Sequence, residues 1–428
     1  MATHYRIEDI PGLMEQCELG LRDAFARVDA IALANQRKVL TAMQRARLAD
    51  YHFKGSTGYG YGDAGRAALD AVYAEVFEAE AALVRQHFVS GTHALGSVLY
   101  GILRPGDQLI SVCGAPYDTL QSLIGYGAAP VSGSLKEYGV AYKEIALTET
   151  GAVDVPAVLD AIQPHTKMLL VQRSRGYAWR EALRIPDIQA FCQEVKAQHP
   201  GLIIFVDNCY GEFTSTQEPT AVGADIVAGS LIKNPGGGIA PGGGYVAGRE
   251  HLVAMAADRL TMPGLGSKMG ATSSEQLRLF FQGLFLAPHV TAQSLKGMHL
   301  CAAVLEKLGY RVSPAPETAR GDIIQAVRLD SAEQIIRMAQ AIQAASPVDS
   351  AAVPEPGDMP GYADPIIMAA GAFVQGSSIE LSLDAPLRPP YTVYVQGGLT
   401  YEHVKLALFD VCSALLEEGI DAAPLPNL

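Results

Sequence analysis

An aspartate and a lysine each follow an apolar, strand-like segment of this sequence. Asp207 directly follows the apolar run at residues 203–206, and Lys233 follows the run at residues 225–230. Short apolar runs that end at polar residues and glycines are typical of buried strands. Because ligands bind at the carboxyl ends of strands in a parallel sheet, we expect both side chains in one crevice.

This pair fits the chemistry of pyridoxal 5'-phosphate (PLP). A lysine amine forms a Schiff base with the cofactor's aldehyde, and partial desolvation helps to lower the pKa of that amine. A carboxylate against the pyridine nitrogen keeps it protonated, so that the ring accepts electrons from a carbanion. Taken alone, Asp207 also fits a helix cap and Lys233 a solvated charge at a strand end. The Asn-Pro-Gly-Gly-Gly segment that follows Lys233 favours the PLP interpretation.

A phosphate site is predicted where Ser90, Gly91 and Thr92 precede a helix. The apolar residues of that helix recur with a period of three and four, at Leu95, Val98, Leu99, Ile102 and Leu103. Backbone N–H groups and hydroxyls at a helix N-terminus attract an anion. Ser230 offers another hydroxyl from a neighbouring strand end, whereas Thr92 also fits a plain N-cap.

Three further side chains are candidates for the cofactor ring and the substrate. Tyr117 follows a strand and could stack on the ring, with His93 as an alternative ring contact. The segment Gln172-Arg173-Ser174-Arg175 ends another strand, and one of its side chains could bond to the cofactor's phenolic oxygen. We place Arg173 among the substrate-binding residues. Arg388 lies between prolines and could clamp the substrate carboxylate through two hydrogen bonds. An ordinary loop tyrosine and two solvated arginines are the alternatives.

The elements that must position these residues alternate between strand and helix. With 428 residues, 49% of them apolar, the chain is long enough for more than one core. Alternating strands and helices indicate an α/β protein with a mostly parallel sheet that is covered on both faces. We expect a helical segment at 1–60, a large cofactor-binding domain at 61–290 and a smaller α+β domain at 291–428.

Composition excludes several classes of function. The formal charge of −13 argues against nucleic acid as a partner and against anionic membranes. Six widely spaced cysteines include no Cys-x-x-Cys pair, so we expect neither a metal site nor a disulfide framework. No apolar run reaches membrane-spanning length and the first residues lack a signal pattern, so we expect a cytoplasmic protein. The glycine run follows Lys233 instead of preceding it, which excludes a P-loop.

With these residues in place, the chain resembles the fold-type I PLP enzymes. Within them it is similar to the methionine γ-lyase-like family whose members are labelled aluminium-resistance proteins or cystathionine β-lyases. The resemblance covers nearly the whole chain. Its motifs are Gly58-Tyr59-Gly60-Tyr61 with Asp63 and Arg66, Ser90-Gly91-Thr92-His93-Ala94, residues 206–213, residues 229–237 and Val395-Gln396-Gly397-Gly398-Leu399-Thr400.

The resemblance implies a seven-stranded, mostly parallel sheet and a role for each motif. Lys233 would be the Schiff-base lysine and Asp207 the partner of the pyridinium. The implied phosphate ligands are Gly91, Thr92 and Ser230, and Tyr117 takes the place of the stacking aromatic residue. Tyr59, Tyr61 and Arg66 would reach the phosphate of a neighbouring subunit in a homodimer or homotetramer.

We therefore expect a carbon–sulfur lyase that eliminates a thiol from a sulfur-containing amino acid. The alternatives are transamination, aldol cleavage or γ-replacement with the same cofactor, or a PLP-binding protein without turnover. The fold supports all of these, because function depends on the site and not on the scaffold.

Overall fold

The computed structural model of the protein describes residues 5–126, 131–358 and 364–416. Its α-helices in these ranges are α1 (Ile10–Gly20), α2 (Arg22–Arg45), α3 (Ala64–Val76), α4 (Gly91–Ile102), α5 (Asp118–Ile124), α6 (Val155–Ala161), α7 (Ile185–Gln198), α8 (Glu250–Leu260), α9 (Ser274–Lys307), α10 (Ala332–Ala344) and α11 (Tyr401–Leu416). Its strands are β1 (Ala81–Arg85), β2 (Gln108–Ser111), β3 (Ala141–Glu144), β4 (Thr166–Gln172), β5 (Ile203–Asp207), β6 (Ile226–Ser230), β7 (Gly244–Gly248), β8 (Arg311–Ser313), β9 (Ile324–Arg328), β10 (Ile366–Ala369), β11 (Ser382–Pro386) and β12 (Thr392–Gln396).

The first seven strands form one sheet in the order β1-β7-β6-β5-β4-β2-β3. β7 runs antiparallel to both of its neighbours, and the other adjacent pairs are parallel. Parallel neighbours need crossover connections, which the alternating helices supply. The predicted α/β class with a mostly parallel sheet of seven strands is confirmed.

Side chains of the central strands alternate between the two faces of this sheet. Ile203 and Phe205 of β5 pack in a core with α4 and α8. Ile204 and Val206 pack in another core with α3 and α7. We call these the α4 face and the α7 face. Continued alternation places residue 207 on the α4 face and residue 208 on the α7 face.

A second sheet of five antiparallel strands, in the order β10-β11-β12-β9-β8, forms the C-terminal part. It shares a core with α10, α11 and the N-terminal helix α1. The predicted boundary at residue 290 falls inside the 34-residue helix α9, so one continuous helix joins the two parts. Among the described residues, the final helix is α11, which ends at Leu416.

Among the helices of the described ranges, none has both the length and the apolar character that crossing a membrane requires.

Candidate active site

Lys233 lies at the carboxyl end of β6, where the chain enters the short 3-10 turn Asn234–Gly236. Its side chain is half-buried, and Nζ stands 3.9 Å from the centroid of the Tyr210 ring. Asn234 fixes this region because its Nδ2 donates to the carbonyl oxygens of Tyr210 (3.0 Å) and Glu212 (2.8 Å). Tyr210 has a left-handed backbone (φ 70°), which is unfavourable for a residue with a side chain and is maintained here by its surroundings.

The electrostatic surroundings of Lys233 differ from the sequence expectation. Burial alone would lower the pKa of its amine, but the acidic groups around it outweigh burial and raise the pKa overall. These groups are Cys209, Tyr210, Asp207 and Glu212. Desolvation does lower the pKa, as expected, but the net change is upward, because the segment 207–212 at the end of β5 places acidic side chains around this amine.

Asp207 ends β5 beside β6 and is only 7% exposed. Its Oδ1 accepts a hydrogen bond from the backbone N–H of Cys209 at 3.2 Å. Burial raises the pKa of the Asp207 carboxyl, and the charge of Lys233 opposes that rise. The structure thus brings the lysine and the aspartate together at one edge of the sheet.

The N-terminus of α4 meets the ends of β5 and β6. Ser90 is the N-cap, because its Oγ accepts from the His93 N–H at 3.1 Å, and the helix begins at Gly91. A Cβ atom at Gly91 would lie 3.2 Å from the Ser230 Cβ and 3.7 Å from the Cys209 Sγ. Free helix N–H groups, a position without a side chain and the Ser230 hydroxyl form a cradle that fits a phosphate group.

Thr92 stands in the first turn of α4 and its Oγ1 lies 2.9 Å from that of Thr119. The alternative of Thr92 as the N-cap does not hold, since Ser90 has that position. His93 is engaged with the backbone, because its Nδ1 accepts from the N–H of Val89 at 3.2 Å.

Tyr117 precedes α5 and is held beside the crevice by β4. Its backbone N–H donates to Oε1 of Gln172 at 2.7 Å. Gln172 is paired in register with Asp207 and so shares its face of the sheet. The Tyr117 hydroxyl donates to that of Tyr177 at 3.4 Å, and the two ring centroids are 5.6 Å apart. Sequence reasoning missed both Gln172 as a positioning residue and Tyr177.

Arg173 lies on the opposite side, in a buried network on the α7 face. Its Nη1 donates to Oδ1 of Asn208 at 2.8 Å and lies 3.4 Å from a Glu218 carboxylate oxygen. Its Nη2 donates to Oγ1 of Thr214 at 3.1 Å. The structure therefore does not bring Arg173 into the crevice. The reason is the two-residue period of a strand, which puts Gln172 on the α4 face and its neighbour on the α7 face.

Arg388 is at the rim. Its side chain is 54% exposed, and Nη1 lies 2.6 Å from Oδ2 of Asp364. Burial raises the pKa of Asp118, the neighbour of Tyr117, and the charge of Arg388 opposes that rise. The guanidinium is therefore near the entrance on the Tyr117 side, and its role as a carboxylate clamp stays a prediction.

The Tyr59 and Tyr61 side chains are 67% and 63% exposed, with ring centroids 5.7 Å apart. Arg66 is buried, and its Nη2 donates to the carbonyl oxygens of Gly60 (2.8 Å) and Lys268 (2.9 Å). Its guanidinium thus holds the loop that presents the two tyrosines. Contact of these three residues with a neighbouring subunit stays a prediction.

Asp384 is another acidic side chain near Lys233, and sequence reasoning missed it. It lies on β11 and is half-buried, and its Oδ2 accepts from Nε2 of Gln396 at 3.1 Å. Burial raises its pKa to about 6, although hydrogen bonds from Gln396 and Tyr177 and the charge of Lys233 oppose the rise. No local signal marked it, because a lone aspartate on a strand reads as an exposed position.

Comparison with known proteins places these features in a family. The methionine gamma-lyase family matches residues 10–416. The chain belongs to the methionine gamma-lyase family. The uncharacterized protein YnbB of Bacillus subtilis is 47% identical over 95% of this chain and 96% of its own length. A solved carbon-sulfur lyase involved in aluminum resistance, from Clostridium novyi NT, is 48% identical with a TM-score of 0.91, over 95% of this chain and 96% of its own.

The fold also matches that of a more distant PLP-dependent protein. The pyridoxal-5'-phosphate dependent protein YhfS of Escherichia coli superposes with a TM-score of 0.58 at 17% identity, over 89% of this chain and 96% of its own. This likeness shows the fold-type I architecture. The cofactor to which the methionine gamma-lyase family points is PLP, and the lysine, the aspartate and the anion cradle described above fit that group.

Proposed function

We propose that this protein eliminates a thiol from a sulfur-containing amino acid of the cystathionine, methionine or cysteine class, releasing a 2-oxo acid and ammonia. One observation carries the proposal: the Lys233 amine and the Asp207 carboxyl interact at the ends of neighbouring strands, beside the N-terminus of α4. The family supplies the reaction class, a carbon–sulfur lyase that depends on PLP.

Each group of the site would hold one part of the cofactor. The amine of Lys233 would bind the aldehyde carbon, and the carboxylate of Asp207 would hold the proton on the pyridine nitrogen. The N–H groups at Gly91 and Thr92, with the Ser90 and Ser230 hydroxyls, would bind the phosphate. Tyr117 would pack on the ring, with Gln172 fixing its backbone.

PLP, when bound, supplies an electron sink for the negative charge that develops at the substrate Cα. The Lys233 amine, once the substrate nitrogen has replaced it, would take the proton from Cα as general base. The ring of Tyr210, 3.9 Å from Nζ, would keep the amine close to that carbon. Arg388 at the rim would attract the substrate carboxylate.

We further propose that the protein acts in the cytoplasm as a homodimer or homotetramer. The exposed tyrosines Tyr59 and Tyr61, on the loop that Arg66 secures, would meet the phosphate site of a neighbouring subunit. Their exposure in a single chain supports this proposal, because large aromatic side chains that lie together on a surface mark interaction sites.

The test is product analysis with purified, PLP-loaded protein. We expect thiol, ammonia and 2-oxo acid in equal amounts from at least one of cystathionine, methionine and cysteine. Pyruvate would indicate β-elimination, and 2-oxobutyrate would indicate γ-elimination. If an oxo acid forms without thiol, the reaction is transamination. If an aldehyde forms, the reaction is aldol cleavage. A replaced γ-substituent would indicate γ-replacement. A yellow protein that converts no amino acid would instead be a PLP carrier.

A further inference from the structure

Three carboxyl groups lie close enough to Lys233 for its charge to lower their pKa. They are Asp207, Glu212 and Asp384. A lysine that bears a cofactor no longer offers its full charge to all of them. A carboxyl that is ionised in the loaded site therefore depends more strongly on its other partners.

Two of these three carboxyl groups already have another partner. Asp207 is the proposed partner of the cofactor's ring nitrogen. Glu212 is fully buried, and its Oε1 accepts from the Tyr245 hydroxyl at 2.8 Å. Burial raises the pKa of Glu212 to about 8, so that it is mostly neutral at pH 7. Of the three, Asp384 is the carboxyl that is both ionised near neutral pH and partly open to an incoming molecule.

Asp384 is held in place from two sides. Gln396 on the neighbouring strand β12 donates to its Oδ2 at 3.1 Å, and the Tyr177 hydroxyl donates to the same carboxyl. Tyr177 is fixed in turn by Tyr394, whose hydroxyl donates to the Tyr177 carbonyl oxygen at 2.6 Å. A carboxylate has about four acceptor sites, so two donors leave capacity for a third.

Asp384 is linked to the reactive amine through one aromatic cluster. Its cross-strand neighbour Tyr394 packs with Tyr177 and Tyr210, and the Tyr210 ring lies 3.9 Å from Nζ of Lys233. This position matches a requirement of the substrate. In the proposed function, the α-nitrogen of an amino acid would take the place of Nζ of Lys233, so it would arrive where Nζ now stands. It arrives as an ammonium group, which has no electron pair for bond formation. One proton must leave before the nitrogen can react, and a nearby carboxylate is a suitable acceptor.

We propose that Asp384 binds the α-ammonium group of the incoming amino acid and accepts one proton from it. The N–H bond breaks, an O–H bond forms on Asp384, and the nitrogen keeps the electron pair. The result is a neutral amine and a neutral carboxyl, and no oxidant or reductant takes part. This inference rests on two parts of the proposed function: the substrate is an amino acid, and Lys233 holds the cofactor.

The proposal predicts a pH dependence. A pKa of about 6 is closer to that of an α-ammonium group than the pKa of an ordinary aspartate is. The titratable groups that face Asp384 are Lys233, Tyr177, Tyr210 and Tyr394, which is the cross-strand neighbour of Asp384. Burial raises the pKa of Tyr210 and Tyr394, so these two phenols stay neutral below pH 8. We expect kcat/KM of the wild type to rise with pH through about 6, as Asp384 loses its proton.

The first experiment compares Asp384→Asn with the surface control Asp330→Asn, both loaded with PLP. Asp384→Asn should keep the visible absorption of the bound cofactor. Its kcat/KM should fall on the order of 100-fold and should no longer rise with pH near pH 6. Asp330→Asn should behave like the wild type. An Asp384→Asn enzyme that keeps the pH profile and kcat/KM of the wild type would overturn the proposal.

The second experiment needs no turnover. Calorimetry compares binding of L-norleucine, which has no sulfur, with hexanoate, which also lacks the amino group. Asp384→Asn should weaken norleucine binding about 10-fold or more and leave hexanoate binding unchanged. Equal losses for both ligands would overturn the role in ammonium recognition. If the wild type binds norleucine but releases no thiol from cystathionine, methionine or cysteine, the lyase function is refuted and the role of Asp384 is not.

A second variant covers the case in which Asp384→Asn does not fold. Tyr177→Phe removes a hydrogen bond that lowers the pKa of Asp384. The rise of kcat/KM should then move to higher pH. If Tyr177→Phe leaves the midpoint of the rise in place, Asp384 is not the group that titrates.

Discussion

The two faces of the sheet at the end of β5 have opposite character. On the α4 face, Asp207, Ser230 and Lys233 surround a crevice, and the lysine is half-buried. On the α7 face, Arg173 and Asn208 are fully buried and bonded to each other at 2.8 Å. The chain changes from one environment to the other within a single residue step.

The α7 network extends through Glu218, whose Oε2 accepts from Nδ2 of Asn208 at 3.0 Å and whose Oε1 accepts from the Phe213 N–H at 2.9 Å. These bonds fix the segment after β5 from behind. Because alternating side chains point to opposite faces, one strand end supplies both the reactive groups and their support. Changes on the α4 face should therefore cost activity, and changes on the α7 face should cost stability.

The largest effect is expected for Lys233→Ala on the α4 face. Turnover should fall at least about 1000-fold, because both the attachment of the cofactor and the general base are lost. The midpoint of thermal unfolding in the absence of cofactor should stay close to that of the wild type. Lys167→Ala, at an exposed position, is the matched control. Turnover at the wild-type rate would contradict the assignment.

On the α7 face, Arg173→Met should lower the free energy of unfolding by about 3–5 kcal/mol, because it leaves the buried Glu218 carboxylate without its cation. Urea unfolding measures the loss, with the exposed Arg37→Met as control. The molecules that remain folded should turn over at the wild-type rate. If activity disappeared while stability were kept, Arg173 would act on the substrate after all.

A smaller effect is expected for Ser230→Ala, which removes one hydroxyl from the anion cradle. The dissociation constant for PLP should rise about 10- to 100-fold, since a hydrogen bond to a charged group contributes about 1.5–3 kcal/mol. Titration of the cofactor-free protein with PLP measures it, against the exposed Ser350→Ala. With saturating PLP, kcat should be nearly unchanged. An unaltered dissociation constant would remove Ser230 from the phosphate site.

The smallest effect is expected for Glu212→Gln, and it appears in the pH dependence of stability. Burial raises the pKa of Glu212 from 4.5 to about 8, so between these values the folded state binds a proton that the unfolded state does not. The wild type should therefore lose stability as pH rises through this window. Glu212→Gln cannot ionise and should lose less between pH 6 and pH 8.5 in urea unfolding. The exposed Glu194→Gln should follow the wild type, and parallel losses in all three proteins would refute the raised pKa.

Much of the fold and the centre of the site could be predicted from the sequence. Asp207 and Lys233 follow apolar runs, and such runs are enough to predict strand ends. Gly91 could be found in the same way, because a helix start has a local signature.

The rest depends on tertiary geometry. Arg173 was placed in the crevice because it ends a strand, whereas the face to which it points depends on a one-residue register that the pattern left open. Asp384 and Tyr177 come from distant parts of the chain and meet only when the second sheet docks beside the first. Tyr210 could have been noticed in its motif, but its left-handed backbone has no signal in the sequence.

The most direct measurement is chemical. The protein incubated with PLP is reduced with borohydride, digested and mapped by mass spectrometry, after its visible absorption spectrum has been recorded. We predict a yellow protein with one pyridoxyl group on the peptide that contains Lys233. A colourless protein without an adduct, or an adduct confined to another lysine, would contradict the assignment of the site.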